Sequence, residues 1–245
     1  MENVGESKLR NKDFQESFSR PQLIRSLIDV SVTAPVIFDV GGHKGESIHF
    51  LRSLFPDAII HSVEPDPVSF QQLCSLGDER TFCHNLAFSD MDGTLVFFQN
   101  NISHTNSLYK VNFESRDSIY FDKVRKSERE LEPEKFNREI KVAGCRMDQF
   151  CKGKSIDRIN LLKIDVQGAE AKVLAGAGNL LERVDNIVLE VSFYDYYEHQ
   201  SSFFEVEQFL VPFGFRLYSI SDISNNPMNG RTDWVEVIYR KGGVK

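Results

Sequence analysis

Short apolar runs alternate with amphipathic stretches along most of this 245-residue chain. Leu23, Ile24, Leu27 and Ile28 recur at helical spacing and predict a helix near the start. "VIFDV", from Val36, is an apolar run broken by one carboxylate and predicts a buried strand. The following "ESIHFLRSLF" puts Ile48, Leu51, Leu54 and Phe55 on one helical face, stopped by Pro56 and Asp57. "AIIHSVEP" predicts a second strand. "PVSFQQLCSLG" predicts a second helix, opened by Pro67 and closed by Gly77. "TFCHNLAFSD" predicts a third strand, and "MDG" turns it into "TLVFFQ" as a small hairpin.

Pattern is lost over 114–139, where seven Lys or Arg and eight Asp or Glu leave few apolar anchors. That composition fits a solvated helical insertion or a lid, placed at about 111–139. Order resumes with "KVAGCRMDQF". "INLLKIDVQG" and "NIVLEVSF" predict buried strands around the helix "AEAKVLAGAGNLLERV". "FFEVEQFLVPFG" predicts a helix ended at Pro212 and Gly214, before two adjacent strands, "FRLYSIS" and "DWVEVIYRK". Strands alternating with helices imply right-handed crossovers and a Rossmann-like, doubly wound, mostly parallel α/β sheet. The final pair implies an antiparallel hairpin on one edge. Residues 1–35 read as a helical extension and 36–245 as one domain.

Composition is that of an ordinary globular chain, 41% hydrophobic and 27% charged. A formal net charge of −7 argues against a general nucleic-acid or anionic-membrane binder. Cys74, Cys83, Cys145 and Cys151 form no CxxC pair and read as free thiols of a reducing cytoplasm. The polar start "MENVGESKLRNKDF" lacks the apolar core of a secretory signal, and no run is long enough to span a bilayer. The expectation is a cytoplasmic protein with no nucleic-acid or membrane partner; a homo-oligomer is left open.

Three glycines in five positions follow the first strand: Gly41, Gly42 and Gly45. Such a loop lets a backbone approach a ligand, and the helix after it favours negative charge. A dinucleotide fingerprint, G-x-G-x-x-G, fails in both registers, since His43 or Lys44 stands where the second glycine belongs. The D-x-G-x-x-x-G spacing of Asp39, Gly41 and Gly45 fits S-adenosylmethionine instead. Glu64, before Pro65 in "VEP", lies at the end of the second strand, where a carboxylate accepts both ribose hydroxyls. Packing of helix on strand is the competing explanation for the glycines.

"FDVGGHKGES", "SVEPDP", "NLAFSD", "LLKIDVQGAEAKVLAGAGNLL" and "IVLEVS" follow one another in order. Together they resemble the FkbM-type S-adenosylmethionine-dependent methyltransferases, over roughly 36–110 and 140–240. The resemblance implies a seven-stranded sheet with a reversed last hairpin. It also implies methyl transfer, typically to a hydroxyl oxygen of a sugar or secondary metabolite. Carried onto this chain, Asp39, Gly41 and Gly45 line the methionine end and Glu64 holds the ribose. Asn85 to Ala87, with Phe88, borders the adenine, and Asp165 faces the reacting centre. His43–Lys44 and Gln167 depart from the family pattern, which more often has small or amide residues and a glutamate there.

A hydroxyl acceptor must lose a proton, so the candidate bases are Asp165 and His104, the latter in the polar loop "NNISHTNSLY". His43, in the cofactor loop, is placed to contact either ligand. Asp165 and Glu190 form a possible oxygen-ligand pair for a divalent ion, with a salt-bridged Glu190 as the alternative. Lys163, in an apolar strand, needs a partner, and Asp165 on the same face supplies one. Glu170 suits the dipole of the following helix. Tyr194, Tyr196, Tyr197 and His199 are candidates for the acceptor pocket, with packing as the competing role. A nucleotide-dependent oxidoreductase and a catalytically silent cofactor-binding scaffold are the rival functions.

Overall fold

The computed structural model describes residues 19–115, 135–226 and 229–242. The first elements are α1 (Arg20–Arg25), β1 (Val36–Val40), α2 (Glu46–Leu54), β2 (Ile59–Val63), α3 (Pro67–Cys74) and β3 (Thr81–His84). β4 (Ala87–Phe88), β5 (Gly93–Gln99), a 3-10 turn at Ser103–Thr105 and β6 (Arg138–Cys145) follow. The remainder is α4 (Met147–Gly153), β7 (Ile159–Ile164), α5 (Glu170–Ala177), β8 (Val184–Ser192), α6 (Phe203–Leu210), β9 (Phe215–Asn225) and β10 (Thr232–Lys241).

Seven strands form the main sheet in the order β3-β2-β1-β7-β8-β10-β9. The first five are parallel, and β10 and β9 run antiparallel, as expected for the last hairpin. On one face Ile24, Leu27 and Ile28 join Ile48, Leu51 and Phe55 against Ile37, Ile60 and Leu161. On the other, Met147, Val173, Leu174 and Leu210 cover Phe38, Leu162 and Ile187. Both faces of β1 are therefore buried, which is why its sequence is apolar without alternation.

Two expectations are corrected. The stretch 81–90 is two strands: Asn85 Nδ2 donates to the carbonyls of Glu64 (2.9 Å) and Pro65 (3.1 Å), and the chain leaves the main sheet there. Ala87–Phe88 then pairs with β6, and β5 pairs with β6 as well, giving a separate three-stranded sheet in place of a local hairpin. In β6 only Val142 is buried, so the strand has no apolar signature. The predicted long helix after β7 also breaks at Gly178 (φ +49°) into a 3-10 turn, Gly178–Arg183.

Helix α1 is shorter than its apolar spacing suggests. Ser26 turns its hydroxyl back onto the Leu23 carbonyl (2.7 Å), and Leu27 and Ile28 are buried beyond the helix end. Of the charged stretch at 111–139, residues 116–134 lie outside the described residues. Its ends are folded: Val111 and Phe136 are buried against Tyr197. Among the described residues no helix is long and apolar enough to cross a membrane. The four cysteines are free thiols.

Candidate active site

The glycine loop begins where β1 ends. A Cβ on Gly41 (φ +88°) would lie 1.8 Å from the carbonyl oxygen of Asp165, so the loop rests on the β7 tip backbone to backbone. A Cβ on Gly42 would meet Ser62 Oγ at 2.1 Å, and one on Gly45 (φ +100°) Leu76 at 2.2 Å. Gly41 is therefore required by a main-chain contact and Gly45 by its φ, whereas the neighbour of Gly42 is a side-chain end. Packing and ligand approach are not alternatives here, because Gly41 and Gly42 also line the cavity beyond the sheet.

His43 adopts φ +47° and turns its backbone N–H onto Glu64 Oε2 (2.9 Å). Its ring lies between Glu46 Oε1 (3.1 Å) and Ser103 Oγ (2.8 Å), tying the glycine loop to the 3-10 turn. Glu64 also accepts from the Asp66 N–H at 2.8 Å. Burial pushes the Glu64 carboxyl up to about 8, against the two N–H groups that favour its charge.

Asp165 follows β7, and its N–H donates to the Val40 carbonyl (2.9 Å). Lys163 Nζ lies 3.4 Å from Asp165 Oδ2 and 3.4 Å from Asp39 Oδ1. Burial alone would lower the Lys163 ammonium, but the two carboxylates hold it above its ordinary value. The lone charge in an apolar strand thus has two partners, of which the sequence pattern revealed one. Gln167, at φ +56°, donates from Nε2 to Asp165 Oδ1 (3.0 Å). Its Oε1 accepts from the buried Tyr197 hydroxyl (2.9 Å), and Ser107 Oγ donates to its carbonyl (2.7 Å). Burial raises Glu170 to about 7 although the Gly168 N–H donates to it at 3.1 Å. Burial, and then Asp165, raises Glu190 as well.

A cavity of about 590 Å³ opens beyond the carboxyl ends of the strands, where ligands of such sheets bind. Gly41, Gly42, His43, Glu64 and Pro65 form one wall, and Ala87 and Phe88 extend it. Asp165 and Glu190 form a second wall that meets the first at Gly41, and His104 of the 3-10 turn also lines the space. Three expected site residues lie outside the lining. Asp39 is wholly buried between Ser62 Oγ (2.8 Å) and Lys163, Gly45 packs on Leu76, and Asn85 pins the backbone of Glu64. Of the aromatic run, Tyr196 reaches the cavity, while Tyr194 and His199 do not.

Sequence reasoning missed Glu46 and Ser47 of α2 and Ser224, Asp233 and Trp234 of the last hairpin. Trp234, the lone tryptophan of the chain, was the available signal. Among the described residues no three His, Cys, Asp or Glu side chains are arranged to hold a metal ion. Asp165 is engaged by Lys163 and Gln167 instead.

Residues 39–217 match the model of the methyltransferase FkbM domain. NoeI of Sinorhizobium fredii (strain NBRC 101917 / NGR234), a 2-O-methyltransferase, is 28% identical over 200 residues, 78% of this chain and 79% of that protein. The methyltransferase sdnD of Sordaria araneosa is 30% identical over 173 residues, 64% of this chain and 66% of that one. The crystal structure of an FkbM methyltransferase from Methylobacillus flagellatus KT superposes with a TM-score of 0.51 at 13% identity. It matches 85% of this chain and 44% of its own length, and shows the shared fold.

Proposed function

The chain belongs to the FkbM methyltransferase domain family, and on that premise we propose that it methylates a hydroxyl oxygen of a sugar or secondary metabolite. S-adenosylmethionine is the methyl donor in this reading, and the cavity suits it. Glu64 ends β2 as a carboxylate acceptor for the ribose diol, and Leu86, Ala87 and Phe88 offer an apolar wall to the adenine. Glu46, Asp165 and Asp233 line the space beside the partly or wholly protonated Glu64 and Glu190, and among the described residues no lysine or arginine does, which favours a sulfonium cation. The 2-O-methyltransferase named above supports an oxygen acceptor.

The cofactor supplies an electrophilic methyl group, and this chain's residues supply position and a proton acceptor. In-line displacement gains most from holding the acceptor oxygen close and aligned. Asp165 carries the proposal, because it faces the cavity from the β7 tip with Lys163 and Gln167 aiming its carboxylate. It takes the hydroxyl proton as the new carbon–oxygen bond forms. Glu190, kept protonated by burial and by Asp165, donates a hydrogen bond to a neighbouring acceptor oxygen. His104 faces the same space and is the second candidate base.

Calorimetric titration with S-adenosylhomocysteine tests the cofactor, and a glycoside and polyketide panel with labelled S-adenosylmethionine tests the acceptor. Binding abolished by Glu64→Ala and a labelled methyl ether are expected. Absence of binding to wild-type protein rejects the reading.

A further inference from the structure

A second cavity, of about 200 Å³, adjoins the first beneath α1, and Glu46 and Ser47 form part of the wall of both. Its other walls are largely apolar: Ile24, Phe50, Leu51, Leu161 and Val188. Two cations enter it, Arg20 from α1 and Lys163 from β7. Among the described residues the main cavity has neither kind of side chain, and its acidic groups are Glu46, Glu64, Asp165, Glu190 and Asp233. The guanidinium and ammonium donors next to the main cavity are therefore in this annex, each paired with carboxylates of the fold.

Its two cations are not equivalent. Lys163 is shared between Asp39 and Asp165 at 3.4 Å each, so it is committed to the protein. Among the described residues Arg20 has one hydrogen-bonding partner, Glu236. Its Nε donates to Glu236 Oε1 (2.8 Å), its Nη2 to Glu236 Oε2 (2.5 Å), and its guanidinium lies 4.6 Å over the Phe50 ring. Ser221 Oγ, 2.5 Å from Glu236 Oε1, fixes the carboxylate in turn. This clamp uses Nε and Nη2. Nη1 carries two further N–H donors in the plane of the fork. A guanidinium fixed by a carboxylate and an aromatic face beside an otherwise acidic cavity is prepared for one more anionic group.

We infer that Arg20 binds the α-carboxylate of the cofactor's amino-acid end, so that α1 completes the donor site. The inference rests on S-adenosylmethionine being the donor. That molecule carries two positive groups and one negative one; the acidic cavity attracts it as a whole, and the annex is where its anionic end finds a cation. No motif points to this role, because Arg20 lies before the glycine loop in a segment whose pattern reads only as a covering helix.

The test compares S-adenosylmethionine with its decarboxylated analogue by calorimetry on wild type, Arg20→Gln and Arg20→Lys. A charge-assisted pair contributes enough for the carboxylate to favour binding about tenfold or more. In Arg20→Gln the S-adenosylmethionine affinity should fall by that factor while the analogue stays within about twofold; Arg20→Lys should keep part of the preference. The ratio of two affinities in one preparation is independent of the fraction folded. Equal losses for both ligands make Arg20 a packing residue and overturn the inference. An unchanged ratio does so too, since the carboxylate is then held elsewhere. Failure of both ligands to bind wild type rejects the cofactor itself and is a separate result.

Discussion

The two walls of the cavity are built differently. The glycine-loop wall, from Gly41 to Pro65, comes from the ends of two adjacent parallel strands, and main-chain hydrogen bonds from Gly41 and Gly42 to the Val63 carbonyl fix it. The Asp165 wall is gathered from β7, β8, the 3-10 turn and the last hairpin, and side-chain hydrogen bonds join it: Lys163 to Asp165, Gln167 to Asp165 and Tyr197 to Gln167. A glycine pressed on neighbouring main chain, as Gly41 is on the Asp165 carbonyl, tolerates no side chain, whereas side-chain networks allow substitution at graded loss. The first wall is suited to one unvarying ligand and the second to a variable one.

The largest expected effect divides the walls cleanly. Asp165→Asn should lower single-turnover methyl transfer by roughly 10²-fold or more, in the range of a lost general base. Cofactor affinity by calorimetry should stay within about threefold. A parallel loss of both would merge the two walls into one functional unit. Glu64→Gln is the opposite case: cofactor affinity should fall by about tenfold or more. Because burial pushes Glu64 up to about 8 and the proposed ribose contact needs its ionised form, wild-type affinity should rise as pH increases through that value. Proton release on binding, read as a dependence of the calorimetric heat on buffer, checks the sign.

Gly41→Ala attacks the seam between the walls. With φ +88° and the Asp165 carbonyl 1.8 Å from the new Cβ, it should destabilise the fold by about 2 kcal/mol or more in urea unfolding. It should also impair both binding and turnover. The smallest effect lies away from the cavity. His61 and His84 stack at 5.4 Å on β2 and β3, and burial lowers each to about 4. The unfolded chain binds protons at these sites from about 6.5 downward, so stability is complete above that pH and is lost as pH falls toward 4. His61→Phe should flatten the acid side of the urea midpoint profile and leave cofactor affinity unchanged.

This contrast also explains what was legible in the sequence. Elements with both faces or one full stripe buried announced themselves: β1, β2, β7, β8, α2 and α6 all lie where their apolar pattern put them. Glu64 and Asp165 were found because they end such strands. β6 was missed because its register is set by β5 and β4 from elsewhere in the chain and its own residues are mostly solvated. Asp39 was recognised as part of the loop, but its burial beside Lys163 depends on two strands meeting and has no local sign. Trp234, Asp233 and Ser224 reach the cavity only because the last hairpin folds back beside β8, a tertiary event that leaves no spacing to read.

The contact of Gly41 with the Asp165 carbonyl has a consequence for how such a protein diversifies. It sets the span from the donor loop to the proposed base by main-chain atoms alone, beyond the reach of ordinary side-chain drift. Changes of acceptor are then free to accumulate in the Ser103–Thr105 turn and around Ser224 and Trp234 while that span stays constant. For an engineer the same contact is a datum line: libraries belong in those two segments, and the glycine loop is best left untouched.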